Sequence, residues 1–361
     1  MAKKKIRIYY RAPAHVPLWK VMEEGGFLAK HGFEMEFGSM EDKRARATEG
    51  LLSGDLDIVS GNHHSLYARR ALHNEPFVHI GQVQNDWQQH WLVTGNGIES
   101  VADLKGKRLS IDKLDQHPGL NAWLFLKQNG LEDGKDVQMI MGDRRAVERV
   151  RAVMSGAFDA TFMGPVDAHR ARELGAHVID VGTIPMIEGP TVTTTTKYVN
   201  EHPEEVNGLI HALVDAIHYF KTNRKGTIEI INRTSRDLLR LQSDKEVKIF
   251  YDHHAEIYQK KPYPTPEAIQ NVFALGVREN PLVTGFNPLV MGPASPAHCR
   301  RQRLYRPALS MSTTRPCLGR GRREASLPKI NRLGAASRVT KFTANGDFWP
   351  YFMPPMPLPA L

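Results

Sequence analysis

The sequence is short of the groups that most enzymes and metalloproteins depend on. It has two cysteines, Cys299 and Cys317, both close to the carboxyl end. Residues 1–291 therefore offer no disulfide framework, no thiolate metal site and no cysteine nucleophile. No apolar run approaches the ~20 residues of a membrane span. Neither a phosphate-binding P-loop, nor GxGxxG after a strand, nor a GxSxG elbow occurs. Acidic residues are almost missing from the tail: from Gly292 onward twelve Lys/Arg face two Asp/Glu. The net charge of +9 is thus a property of the tail, and residues 1–291 carry about −1. A nucleic-acid partner is not expected of such a body. A hydrophobic export core is also missing from MAKKKIRIYYR, which passes from a basic start into an apparent strand. The chain as written reads as cytoplasmic, and as periplasmic if an export signal is missing from it.

What is present is an alternation of short apolar runs and amphipathic segments, the pattern of an α/β fold. Lys5–Tyr10 alternates as a strand, Leu18–Met22 is helical, and Glu34–Phe37 reads as a second strand. Phe77–Val83 and Trp91–Thr94 read as strands that close a first lobe. Glu99–Asn121 is the organising stretch: a short helix, a turn at Gly106, a strand over Lys107–Ile111, then a helix opened by Pro118-Gly119. An internal echo supports two lobes of one plan. SGDLDIVSGNH (53–63) and SGAFDATFMGP (155–165) share helix end, Ser-Gly, aspartate, short strand and glycine. Loops at the carboxyl ends of parallel strands are where ligands bind, so two such lobes imply a cleft. From His202 onward the periodicity is helical. After Gly292 it is lost, and the tail reads as a basic interaction segment, a disordered extension or the product of a displaced reading frame.

The run Asp103-Leu104-Lys105-Gly106-Lys107-Arg108 before a strand, with GGFLAKHGFEMEF (25–37) ahead of it, resembles the type II periplasmic-type solute-binding proteins. The resemblance is to the branch that holds nitrate-, taurine- and alkanesulfonate-binding proteins and the thiamine-pyrimidine synthases. It implies a two-lobed α/β fold, each lobe a mixed sheet flanked by helices. Lobe one is expected at 1–94 plus 190–291 and lobe two at 95–189. It also implies capture of a small organic solute as the binding component of an ABC-type importer, with a permease as partner. A cytoplasmic enzyme on the same fold, of the aromatic-acid decarboxylase kind, and a cytoplasmic sensor stay open as alternatives.

The site residues expected from strand ends are Arg11, His15 and Trp19 after the first strand, and Asn62, His63 and His64 after the third. Trp87 stands at the crossing, Gln116 and His117 at the Pro118 helix, with Asn121 one turn on, and Gly164 at its echo. Aromatic, amide, imidazole and guanidinium groups together suit a small-molecule cleft. An acidic solute is expected between Arg11 and the Pro118 helix, although Asp115 and Asp167 favour an amine. His64-Ser65-Leu66-Tyr67-Ala68-Arg69 resembles the reactive-histidine segment of the thiamine-pyrimidine synthases, but Glu188–Thr196 lacks that family's cysteine run. No metal or cofactor is expected. His63-His64 are adjacent, Asp252-His253-His254 reads as the surface of a helix, and a set of His15, His64 and His117 has no supporting spacing.

Overall fold

The computed structural model describes residues 4–38, 44–61 and 64–285. Asn62, His63 and the tail after Gly292 lie outside the described residues. The first half runs β1 (Lys4–Tyr10), α1 (Val16–Glu24), β2 (Phe33–Gly38), α2 (Arg44–Ser53), β3 (Ile58–Ser60), α3 (His64–His73), β4 (Phe77–Gly81) and a crossing strand β5 (Gln84–Asp86). Next come β6 (Trp91–Thr94), β7 (Lys107–Ile111), α4 (His117–Gln128), β8 (Val137–Met141), α5 (Ala146–Met154), β9 (Ala160–Met163), α6 (Pro165–Glu173) and β10 (His177–Asp180). The chain returns through β11 (Pro185–Glu188) and β12 (Val192–Thr195). It finishes in α7 (Thr196–Glu201), α8 (Pro203–Thr222), α9 (Arg224–Thr234), α10 (Asp244–Ile257) and α11 (Pro266–Glu279).

Two five-stranded sheets share one plan. The first has the order β2-β1-β3-β12-β4 and the second, read from the same side, β8-β7-β9-β6-β10. In each, three parallel strands are followed by one antiparallel insertion, β12 in the first sheet and β6 in the second. This corrects one expectation. Trp91–Thr94 does not close the first lobe; it pairs with β9 and β10 in the second sheet. The reason is packing. The chain has already crossed at β5, which pairs with β11, and Val93 is buried with Val150, Val153 and Met163 under the second sheet.

The sequence echo has a structural cause. Asp57, the aspartate of SGDLD, accepts the Arg7 backbone N–H at 2.8 Å and its guanidinium at 2.6 and 3.1 Å. Asp159, of SGAFD, does the same for Arg108, at 2.7, 3.0 and 3.0 Å. Each aspartate ties the start of its lobe's third parallel strand to that lobe's first. The pairing is charge-assisted and two-pronged, which fixes register as well as adding energy. The repeat's aspartates are therefore framework, and the opposite ends of these strands lead into Gly61 and Gly164.

The first sheet buries Ile6 and Ile8 against Leu18, Trp19, Met22, Leu213 and Phe220 of α1 and α8. In the second lobe Leu109, Phe125 and Phe162 join Trp87, Ile187 and, from α11, Val272. That cluster continues to Val59, Leu66 and Phe77 of the first lobe. The crossing strands are thus set in apolar packing contributed from both lobes. Each such side chain is worth about 1.5–3 kcal/mol on burial.

Candidate functional site

The first-lobe half of the site is built by β1, β3 and the loops that leave them. His15 is 5% exposed, and its Nδ1 lies 3.1 Å from the Ser60 carbonyl oxygen. Burial pushes this imidazole down to about 4, with the nearby Arg11 charge adding to the shift against the Ser60 bond. It is neutral at pH 7. Gly61 has φ +103°, a left-handed value that disfavours other residues. A Cβ there would stand 2.8 Å from His15 Cε1 and 3.1 Å from Arg11 Cβ. Glycine thus lets the His15 and Arg11 side chains close over the end of β3. Arg11 is half-buried, and its backbone N–H donates to Ser60 O at 3.0 Å. Trp19, expected as a cleft wall, is instead fully buried in the first-lobe core. Its indole N–H donates to Ser60 Oγ at 2.7 Å, so it supports the site from beneath.

The second-lobe half centres on α4. Gln116 is its N-cap and lines an open depression with Asp112, Lys113, Met141, Gly142, Asp143, Arg144 and Arg145. The Pro118 helix does not present a row of N–H groups as expected. Pro118 has none, Gly119 donates to Lys113 O at 3.0 Å and Leu120 to Gln116 O at 2.9 Å. A Cβ on Gly119 would meet the Lys113 and Leu114 carbonyl oxygens at 2.4 Å. The helix end is folded onto its own loop. His117, Asn121 and Phe125, spaced by four, share one face, and that face meets the hinge. Gly164 caps α6, at the end of β9.

The two halves meet at His64 and His117. Their rings stack with centroids 5.2 Å apart and planes within 15°. These are the first residues of α3 and α4, helices that leave parallel strands of the two sheets, α3 after β3 and α4 after β7.

Glu188, on the crossing strand β11, lies beside this contact. It is 9% exposed. Its carboxylate accepts Asn121 Nδ2 at 2.5 Å and the Gln88 backbone N–H at 3.1 Å, and lies 3.5 Å from His117 Nδ1. Its backbone carbonyl accepts Gln82 Nε2 at 2.7 Å. Gln82 Oε1 accepts Thr191 Oγ1 at 2.6 Å, and Thr191 O accepts Gly61 N–H at 2.7 Å. A buried polar chain therefore runs from the α4 face through the hinge to the glycine under Arg11 and His15. Satisfied networks of this kind rigidify the groups they hold. Nearby Asp86 has its carboxyl pushed above the usual range by burial.

Trp87 is 1% exposed and packs between Phe125 and Phe162, with centroids 5.3 and 4.9 Å away. It forms hinge core more than cleft wall. Its indole Nε1 is buried with no hydrogen-bond partner among the described residues.

His253 and His254 correct the reading of α10 as a surface element. His254 is 3% exposed, and its Nδ1 lies 2.8 Å from Phe250 O. His253 packs edge-on against Trp91 at 5.4 Å. Burial pushes His253 down to about 3 and His254 down to about 4. The helix thus reaches the second lobe, where Arg170 of α6 binds Glu246 of α10 at 2.7 and 2.9 Å. Among the described residues no group of three or more His, Cys, Asp or Glu is arranged to hold a metal. No described helix is long and apolar enough to cross a membrane.

Two sheets of one order, joined by paired crossing strands, with strand-end segments of both sheets meeting at His64 and His117, are the two-lobed fold of the periplasmic binding proteins. Solved structures agree. The periplasmic sulfonate-binding protein SsuA of Methylobacillus flagellatus KT aligns with a TM-score of 0.62 at 17% identity, over 87% of this chain and 99% of that one. The aliphatic sulphonate binding protein SsuA of Escherichia coli gives 0.60 at 17%, over 89% and 98%. The nitrate-binding protein NrtA of Synechocystis PCC 6803 gives 0.52 at 14%, over 85% and 90%. No curated protein matches the sequence. The chain belongs to the NMT1/THI5-like family, whose profile matches residues 12–225.

Proposed function

We propose that the chain captures a small organic solute reversibly between its two lobes and serves as the binding component of an ABC-type importer, acting in the periplasm with a permease. The observation that carries this reading is the meeting of strand-end segments from the two sheets at His64, after β3, and His117, after β7. Arg11 and His15 stand on one side of that contact and Asn121 on the other. The fold neighbours named for sulfonate and nitrate binding support a solute-binding role on this architecture.

The test is a thermal-shift screen of small sulfonates, carboxylates, amides, amines and heterocycles, followed by calorimetry. A solute at a hundred times its Kd should stabilise the protein by about 2.7 kcal/mol. His117→Ala should weaken it about tenfold, and mass spectrometry should recover the solute unchanged. A screen in which no solute raises the melting temperature, or in which hits are indifferent to both Arg11→Ala and His117→Ala, overturns the reading.

A further inference from the structure

Asn121 carries more information than its place on α4. Its amide orientation is fixed chemically. A carboxylate accepts hydrogen bonds, so the atom facing Glu188 is the Nδ2 donor. The carboxamide oxygen therefore points away from Glu188. Asn121 is 1% exposed, and that Oδ1 is buried with no hydrogen-bond partner among the described residues. Leaving a buried acceptor unmatched is costly. One turn further along the same face is Phe125, and against Phe125 packs Trp87, whose buried indole N–H is the unmatched donor noted above. An acceptor and a donor, each on a side chain 1% exposed, thus lie next to the same residue, Phe125.

The electrostatics of this end oppose an anion. Glu188 holds Asn121 directly, and Asp86 lies close enough to feel the Glu188 charge. The α4 amino terminus has turned its Gly119 and Leu120 N–H groups onto its own loop, so it offers no row of donors for an oxyanion. Arg11 stands at the other, first-lobe side of the contact.

We infer that the solute presents an N–H or O–H donor to Asn121 Oδ1 and an acceptor to Trp87 Nε1, so that carboxamides and similar neutral donor–acceptor groups are preferred over carboxylates and sulfonates. This rests on the solute-capture reading and narrows it. It departs from the acidic solute expected from sequence, and from the sulfonate and nitrate for which the fold neighbours are named. Those anions are pure acceptors and would set a second acceptor against Asn121 Oδ1. A site built to hydrogen-bond a donor rejects the analogue that lacks it.

The experiment uses the full chain and matched solute sets that differ only in the polar group. Suitable sets are benzamide, benzoate and benzenesulfonate; nicotinamide, nicotinate and pyridine-3-sulfonate; propionamide, propionate and ethanesulfonate. In at least one set the amide should bind about tenfold or more tighter than both anions. Asn121→Leu should erase that discrimination. Trp87→Phe, which keeps a ring between Phe125 and Phe162, should weaken the amide several-fold without reversing the order. Melting curves of each unliganded variant come first; if Asn121→Leu does not fold, Asn121→Ser carries the comparison. Tighter binding of a carboxylate or sulfonate, unaltered by the Asn121 variant, overturns the inference and leaves solute capture standing. Failure of every amide to bind overturns the inference as well, and solute capture is then decided by the wider screen.

Discussion

Replacing Asp57 and Asp159 by asparagine, one at a time, asks how much each lobe depends on its arginine clamp. Asparagine keeps the shape and one acceptor, but it removes the charge and turns an NH2 group toward guanidinium donors. The two sites have the same bonds and different burial. The Asp57 side chain is 9% exposed and its Arg7 partner 39%, against 26% and 41% for Asp159 and Arg108. A hydrogen bond to a charged group is worth about 1.5–3 kcal/mol, and an unmatched buried donor about 1–3 kcal/mol. At Asp57 the inward-facing Arg7 N–H loses its best acceptor, so Asp57→Asn should cost about 3 kcal/mol. At Asp159 water can replace more of what is lost, and the cost should fall to about 1 kcal/mol. In melting temperature these correspond to about 6–12 °C and about 2–4 °C.

The pH dependence separates the Asp159 pair further. Hydrogen bonding to Arg108 holds the Asp159 carboxyl below its ordinary value, against the effect of burial. Its contribution to stability is present above the unfolded carboxylate pKa and is lost as pH falls through the depressed folded value. Asp159→Asn should therefore differ least from the parent at the acid end. Calorimetry and urea melts at pH 7 and in the carboxylate range are the assay. A cost at Asp159 equal to or above that at Asp57 would refute the burial argument. A cost under about 0.5 kcal/mol at both would refute the clamp itself.

Three further outcomes are expected. His15, His79, His253 and His254 are held at about 4, 4, 3 and 4 by burial. The unfolded chain then binds more protons below its ordinary histidine pKa, and stability should fall as pH drops from about 6.5 toward 4; a flat profile across that window in chemical melts would contradict it. Gly61→Ala forces a Cβ into 2.8 Å of His15 at φ +103°, and should cost about 1–3 kcal/mol as well as solute binding; a variant with parental stability and affinity would show that the His15–Gly61 approach is unimportant. Arg170→Ala leaves Glu246, whose side chain is 5% exposed, buried without its partner, and should cost about 3–5 kcal/mol, whereas Arg170→Met with Glu246→Leu should recover most of it; equal losses in the single and double variants would argue that the pair does not act as a unit.

Much of the fold was legible because two physical signals recur in the chain. Short apolar runs at the starts of strands gave both sheets, and the paired Ser-Gly-x-x-Asp segments gave the duplication. Burial and hydrogen bonding dictate those local patterns. The placement of Trp91–Thr94 was not legible, because a four-residue strand carries no mark of which sheet it joins. That choice is made by the crossing at β5, whose strand is three residues long and pairs with only a few residues of β11. The terminal pack was read correctly as helical, and its His253-His254 pair wrongly as surface. Nothing in Asp252-His253-His254 distinguishes a surface face from one that reaches Trp91 and His90.

The site divides along the same line. Arg11, His15, His64, His117 and Asn121 could be named because they follow strands, and the carboxyl end of a parallel strand is a fixed address. Trp19 was misjudged because a tryptophan two turns past a strand serves equally well as core. Glu188 was passed over altogether. A lone glutamate before Gly-Pro carries no motif, and its importance comes from long-range contacts. It meets Asn121 sixty-seven residues earlier in the chain and Gln88 a hundred earlier. Yet this residue fixes which end of the Asn121 amide is held and which is left without a partner among the described residues. Strand-end position therefore nominates side chains for the proposed cleft. The polarity they present there is set by buried partners that only the tertiary structure brings together.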